Sequence, residues 1–245
     1  MKKNIKGVGA IISIVVILSV ISVYLYIPSD YKPKYTLYTA PRQIQSRFIS
    51  SSPTIDGKLG QNEWDYDELS QIILSSNFTE DSLTCQYIIQ NINSTLFLLF
   101  RISDDTYGPL DIYIDNRNDN LLDYTQEPME HRLHFYKDNL QWCIFSRDID
   151  GNFTWNAGEK RPMPKIVQSF GSSQSEDWIV YEIALSMTEE NEIILGLNNS
   201  IGMDFAYWDY DVGQYYFTDP YGNPAGDASN YTDIYLANAP QDLRE

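Results

Sequence analysis

Apolar and polar positions follow two different rhythms along this chain. Residues 7–29 carry no charge and are almost wholly apolar, opening with "GVGAIISIVVILSVISVYLYI". At about 1.5 Å of rise per residue, the stretch predicts a helix able to cross a hydrocarbon core of roughly 30 Å. Beyond it no long helical period recurs, and short β-branched and aromatic runs follow one another between Asn, Asp and Gly clusters. "TCQYIIQ" (84–90) and "TLFLLFRIS" (95–103) predict a hairpin. In its second arm Leu96, Leu98, Phe100 and Ile102 share one face and Phe97 and Leu99 the other, so that strand is expected to be covered on both sides. "LDIYID" (110–115) alternates, sending Leu110, Ile112 and Ile114 inward and Asp111, Tyr113 and Asp115 outward. "RLHFY" (132–136) puts Leu133 and Phe135 in and Arg132, His134 and Tyr136 out. Further strands are expected at 140–146, 178–185, 201–209, 213–217 and 232–237.

About ten strands with antiparallel connections and no internal repeat predict an all-β fold, a two-sheet antiparallel β-sandwich preceded by a single N-terminal transmembrane helix. The expected organisation is a short cytoplasmic tail (1–6), a membrane helix (7–29), a Pro-interrupted stalk merging into an edge strand (30–52), the sandwich (53–237) and a C-terminal tail (238–245). The sandwich opens with "PTIDGKLGQNEW" (53–64). There Pro53 favours an extended entry, Thr54 and Ile55 suit a short strand, and Asp56-Gly57 signals a turn. Trp64 then brings a large ring that needs a wall, and with Trp142 and Trp178 it is expected in the core.

The basic "MKKNIK" ahead of the apolar run also suits a cleaved secretory signal, but the run is long and ends in bulky residues, which favours an uncleaved anchor. Lysines and arginines flank the segment on both sides, and the short basic tail points to a cytoplasmic N-terminus with the large domain extracytoplasmic, at the cell surface. The chain has 17 basic and 34 acidic residues. Such a surface repels phosphate backbones, which argues against a nucleic-acid partner. Sequons at Asn77, Asn93, Asn152, Asn198 and Asn230 agree with a secreted glycoprotein. In an oxidising compartment Cys85 and Cys143, both on expected strands, would form a disulfide; the other reading is two buried thiols.

"PTIDGKLGQNEW", "LFLLFRISDD", "DIYIDNRND", "WIVYEIAL", "IGMDFAYWDYDVGQ" and "FTDP", in that order, resemble the family nine carbohydrate-binding modules and the wider β-sandwich superfamily they share with DOMON-type domains. The resemblance covers residues 53–237 and implies a calcium-stabilised sandwich that holds a sugar between two aromatic platforms. It also implies a carboxylate and a basic side chain on the sugar hydroxyls. Carried onto this sequence, the carboxylate falls on Asp111 and the basic group on His134, with Arg132 on the same face. One platform falls on Phe217, ahead of Thr218, Asp219 and Pro220, and the other on Tyr107. All four positions depart from the residue the family prefers.

The residues themselves add candidates. Trp208 points outward if Ile201, Met203, Phe205 and Tyr207 point inward, and could replace a missing platform, since the C–H face of a pyranose lies well on a flat ring. The oxygen-rich loops suit calcium, with Asp104, Asp105, Asp115, Asn118, Asp119 and Asp123 as expected ligands; Asp148, Asp150 and Asn152 read more simply as a hairpin turn. Met129, His131 and His134 raise haem as a rival cofactor, but His134 has the opposite parity along its strand. No His-Glu-x-x-His, Gly-x-Ser-x-Gly or phosphate loop points to catalysis. The expectation is a membrane-anchored module that binds carbohydrate without catalysis, the alternatives being an adhesive surface domain with a degenerate sugar site and a haem-binding electron-transfer domain.

Overall fold

The computed structural model describes residues 43–60, 63–76, 81–119, 130–147, 153–157, 165–175, 177–191, 193–196, 199–218, 228 and 231–238. All belong to one compact unit, residues 38–245. Among them no helix is long and apolar enough to cross a membrane, and the expected spanning segment 7–29 lies outside the described residues.

The strands are β1 (Gln43–Gln45), β2 (Arg47–Phe48), β3 (Ser70–Ser75), β4 (Ser82–Ile92), β5 (Thr95–Ile102), β6 (Leu110–Asp115) and β7 (His131–Tyr136). They continue with β8 (Asn139–Arg147), β9 (Phe153–Ala157), β10 (Val167–Gln174), β11 (Ile179–Ser186), β12 (Ser200–Asp209), β13 (Gln214–Phe217) and β14 (Thr232–Tyr235). They form one sheet and not two, in the order β10-β11-β5-β4-β3-β13-β12-β6-β7-β8-β9. The sheet curls on itself, joined at the bend by the single β3–β13 pair Ser75 with Phe217 and by a 2.9 Å bond from Ser76 Oγ to Gln214 Oε1. A back layer (β10, β11, β5, β4, β3) thus faces a front layer (β13, β12, β6, β7, β8, β9). Two edge pairings depart from the antiparallel expectation: β1 runs parallel to β14, and β2 to β4.

Strand alternation gives one main core between the layers, where Leu96, Leu98, Phe100 and Ile183 meet Ile112, Leu133, Phe205 and Tyr207. β5 is covered on both faces as its sequence predicts, because Phe97 and Leu99 pack with Val180, Ala184 and Trp64 in a second cluster on the outer face of the back layer. Asp111, Tyr113 and Asp115 face away from the main core, but they are buried and not exposed, since the front layer also carries cover on its outer side. Trp64 and Trp142 are buried. Trp178 is not in the core; it is half-buried beneath the guanidinium of Arg101, 4.6 Å from its ring centre.

The segment after Pro53 contains no strand at Thr54 and Ile55; it crosses the back layer as a strap. Its anchor is Glu182 on β11. One carboxylate oxygen accepts the amides of Asp56 (3.1 Å) and Gly57 (2.8 Å), and the other accepts Trp64 Nε1–H at 2.7 Å. Gly57 has φ +79°, and a Cβ on it would lie 2.4 Å from the Ser172 backbone, so the turn needs glycine for both conformation and clearance.

Cys85 and Cys143 do not pair. Both are free thiols, Cys85 in the core on β4 and Cys143 on the outer face of β8 opposite Arg132. Lying on different layers and facing apart, they cannot reach disulfide geometry.

Candidate functional site

The cross-strand register lines up Phe217, Ala206, Asp111, His134 and Gln141 over the outer face of the front layer. The neighbouring line holds Asp204, Tyr113, Arg132 and Cys143. Asp111 is fully buried, and both its oxygens are engaged. Arg132 grips it two-pronged, Nε to Oδ1 at 3.0 Å and Nη2 to Oδ2 at 2.8 Å. His134 Nδ1 lies 2.8 Å from Oδ1. Burial works against the Arg132 charge, but the Asp111 carboxylate more than offsets it and raises its pKa. Nη2 also donates to Tyr215 Oη at 3.2 Å, and the guanidinium sits over the Tyr113 ring, 5.6 Å from ring centre to Cζ.

Arg132 and His134 remain 21% and 20% exposed at the side chain. Among the described residues nothing bonds to Arg132 Nη1 or His134 Nε2, and neither atom is buried. With Nδ1–H given to Asp111, a neutral His134 turns an acceptor nitrogen outward, beside a guanidinium donor. A donor and an acceptor side by side suit neighbouring hydroxyl groups. Asp111 is therefore a holder of the two outward groups, not itself a surface contact.

Aromatic rings wall this corner. Tyr215 stacks on Phe217 at 5.8 Å between centroids and 27° between planes, and meets Trp208 edge-on at 4.8 Å. Tyr215 can lean across to Arg132 because the residue between them in the face is the small Ala206. Burial raises the Tyr215 hydroxyl pKa, and the Asp111 charge adds to it. Trp208 is half-buried on this face, with Ile201, Met203, Phe205 and Tyr207 all in the main core. Tyr107 is placed differently from a platform at the corner. It meets Tyr136 and Tyr181 edge-on, both at 5.9 Å, and Lys137 Nζ lies 5.6 Å from its ring centre. Tyr215 and Tyr113 were missed by sequence reasoning, although the parity that pairs 215 with 217 and 113 with 111 would have found both.

The expected calcium ligands are not brought together. Asp104 and Asp105 precede β6, whereas Asp115 is its last residue and Asn118 and Asp119 follow it, so the six-residue strand keeps the two groups on the order of 15–20 Å apart; Asp123 lies outside the described residues. Asp115 Oδ1 caps its own turn, accepting the amides of Arg117 (3.2 Å) and Asp119 (3.3 Å). Arg117 ion-pairs with Asp119 at 3.2 Å and lies 3.8 Å from a Glu130 oxygen, supplying from within the positive charge an ion would bring. Asp104 instead gathers with Asp209 and Asp211, their oxygens within 4.8 Å of one another. Burial raises the Asp104 pKa, while the Thr106 amide and Tyr207 hydroxyl bonds lower it.

His131 points into the body of the fold, its Nδ1 accepting Trp142 Nε1–H at 2.8 Å, while His134 faces outward on the other side of β7. The two histidines thus do not converge, and Met129 lies outside the described residues, so this arrangement does not fit an axial haem pair.

No protein-family model matches the sequence, and no curated protein matches it. Solved structures do. A family nine carbohydrate binding module from Caldicellulosiruptor kristjanssonii, in complex with glucose, superposes with a TM-score of 0.54 at 14% identity, covering 83% of this chain and 100% of that one. A module of the same family and organism in complex with cellotriose gives 0.55 at 14% identity, covering 83% and 97%. The chain therefore has the β-sandwich fold of the family nine carbohydrate-binding modules.

Proposed function

We propose that this protein is a carbohydrate-binding module, without catalytic activity, whose sugar site is the corner formed by Arg132 and His134. The observation that carries the reading is the buried Asp111 carboxylate, which fixes both side chains and leaves one outward nitrogen on each. Phe217, Tyr215 and Trp208 supply the apolar wall on which a pyranose C–H face would rest. A carboxylate whose oxygens are both taken by an arginine and a histidine serves to hold those side chains and is poorly placed to shuttle a proton. The test is a glycan array with the full-length chain, followed by titration of His134→Ala. Loss of one hydrogen bond predicts about a tenfold weaker sugar complex with little change in Tm. A folded chain that captures no oligosaccharide would favour the adhesive alternative.

Calcium stabilisation belongs to the same proposal, at Asp104, Asp209 and Asp211, where three carboxylates repel one another and offer only hard oxygen donors. Removing calcium with a chelator is expected to lower Tm by a few degrees; an unchanged midpoint counts against the ion. Anchoring through residues 7–29, with the sandwich outside the cell, completes the proposal. In fractionated cells the chain should sediment with membranes until detergent is added. Recovery of a soluble chain that starts beyond residue 29 would overturn the anchor.

A further inference from the structure

The outer face of the front layer carries a run of rings that starts at Trp208 in the wall of the Arg132–His134 corner and continues beyond it. Trp208, which touches Tyr215 at the corner, meets Tyr210 at 6.5 Å and 81°; Tyr210 then meets Tyr136 at 5.9 Å and 72°. The run is continuous with the corner and leads to the turn between β12 and β13. That turn is well held. Asp209 Oδ1 accepts the amides of Asp211 (2.8 Å) and Val212 (3.3 Å), and Gly213 N–H donates to the Asp209 carbonyl at 2.9 Å. Yet Tyr210 is 51% exposed and Val212 49%, the highest values for large apolar side chains among the described residues. A rigid turn that keeps a tyrosine in water, braced by two other rings, is a surface prepared for contact.

We propose that the bound saccharide is a chain of more than one unit, its first sugar at the corner and the following ones laid over Trp208 and Tyr210, with Tyr136 bracing Tyr210. This rests on the sugar reading of the corner. Three features select an oligosaccharide as the occupant. The rings are turned nearly perpendicular to one another, so their faces come in separate steps, which suits linked sugar units and not a flat ligand. The run starts where the hydroxyl-bonding nitrogens are. Its far end is flanked by Asp211, exposed and bonded to Thr106 Oγ1 at 2.8 Å, and by Lys137, 5.3 Å from the Tyr136 ring centre. These charged groups can accept from and donate to hydroxyls, whereas an acidic chain of formal charge −17 is ill suited to an anionic membrane at this edge.

The experiment is calorimetric titration of the full-length chain with glucose and with cellotriose, repeated on Tyr210→Ala and Tyr210→Phe. The wild type is expected to bind cellotriose at least tenfold more tightly than glucose. Tyr210→Ala should remove most of that difference and leave glucose binding within twofold, while Tyr210→Phe, which keeps the ring, retains it. Equal affinity for the two sugars overturns the extended site and leaves the corner standing. So does a length preference that survives Tyr210→Ala. Failure of the wild type to bind either sugar overturns the glucan form of the corner reading, and the extended site with it.

Discussion

Glu182 on β11 and Asp111 on β6 share a residue class, a place within a strand and complete burial, and both lie on the outward face of their layer. Their partners differ in kind. Glu182 is met by two backbone amides and an indole N–H from the strap laid over it, all neutral and all fixed by the fold. Asp111 is met by an arginine and a histidine of the adjacent strand, each with a second end that reaches solvent. The first carboxylate closes a structure; the second arms a surface. Burial of a charge is thus not by itself a sign of function, and what its partners do with their remaining atoms is the better guide.

The largest effect expected from this contrast is at Glu182. Glu182→Ala leaves the Asp56, Gly57 and Trp64 N–H groups unmet beneath the strap, each at about 1–3 kcal/mol and not fully additive. A loss of about 3–4 kcal/mol in urea unfolding is the expected result, with sugar affinity unchanged at temperatures where the variant is folded. A loss below about 1 kcal/mol would mean the strap is held by its apolar contacts with Phe97 and Leu99 alone.

At Asp111 the balance reverses. Asp111→Asn keeps the shape but removes the charge that aligns Arg132 and replaces one acceptor by a donor facing another donor. Because Arg132 can swing toward water, the stability cost should stay at about 1–2 kcal/mol, while sugar affinity falls about tenfold or more. If stability drops as far as at Glu182 and affinity does not move, the contrast between the two carboxylates is void.

Much of this was legible in the chain. Alternation alone puts Arg132, His134 and Tyr136 on one face of β7 and Leu133 and Phe135 on the other, and the structure has them so. What alternation does not carry is cover. It names Asp111 as outward, but whether that outward face meets water depends on Arg132 and His134 folding down over it, a pairing set by the register of β6 with β7. The same limit explains Cys85 and Cys143, whose strands alternation finds but whose layers it does not assign. The missed β10, "VQSFGSSQ", has no apolar alternation, because as an edge strand it needs only backbone pairing to β11. Glu182 stands among apolar neighbours in the expected strand 178–185, and only the strap folded back from far earlier in sequence explains it. The single curled sheet was equally out of reach, since it depends on one residue pair at the bend.

A third buried carboxylate sharpens the comparison at the smallest scale. Glu130 has one amide partner, Asn116 N–H at 2.5 Å, and Arg117 at 3.8 Å, neither the full neutral cage of Glu182 nor the two-pronged grip of Asp111. Burial first, and then the Asp115 charge, push its pKa up to about 9, against the pull of the Asn116 amide and Arg117. In the unfolded chain the group titrates near the ordinary carboxylate value of about 4.3. Its folded-state pKa is raised, so its contribution to stability is full below that unfolded value and is lost progressively as pH climbs through about 9. Glu130→Gln keeps an acceptor for Asn116 and cannot ionise. With chelator present, the variant should therefore melt a few degrees above the wild type at pH 8 and level with it at pH 4. Comparing the two proteins cancels the raised pKa values of Asp104 and Glu182, which both share. A gap that does not change with pH would show that Arg117 already neutralises Glu130, making it a second arginine-held carboxylate like Asp111.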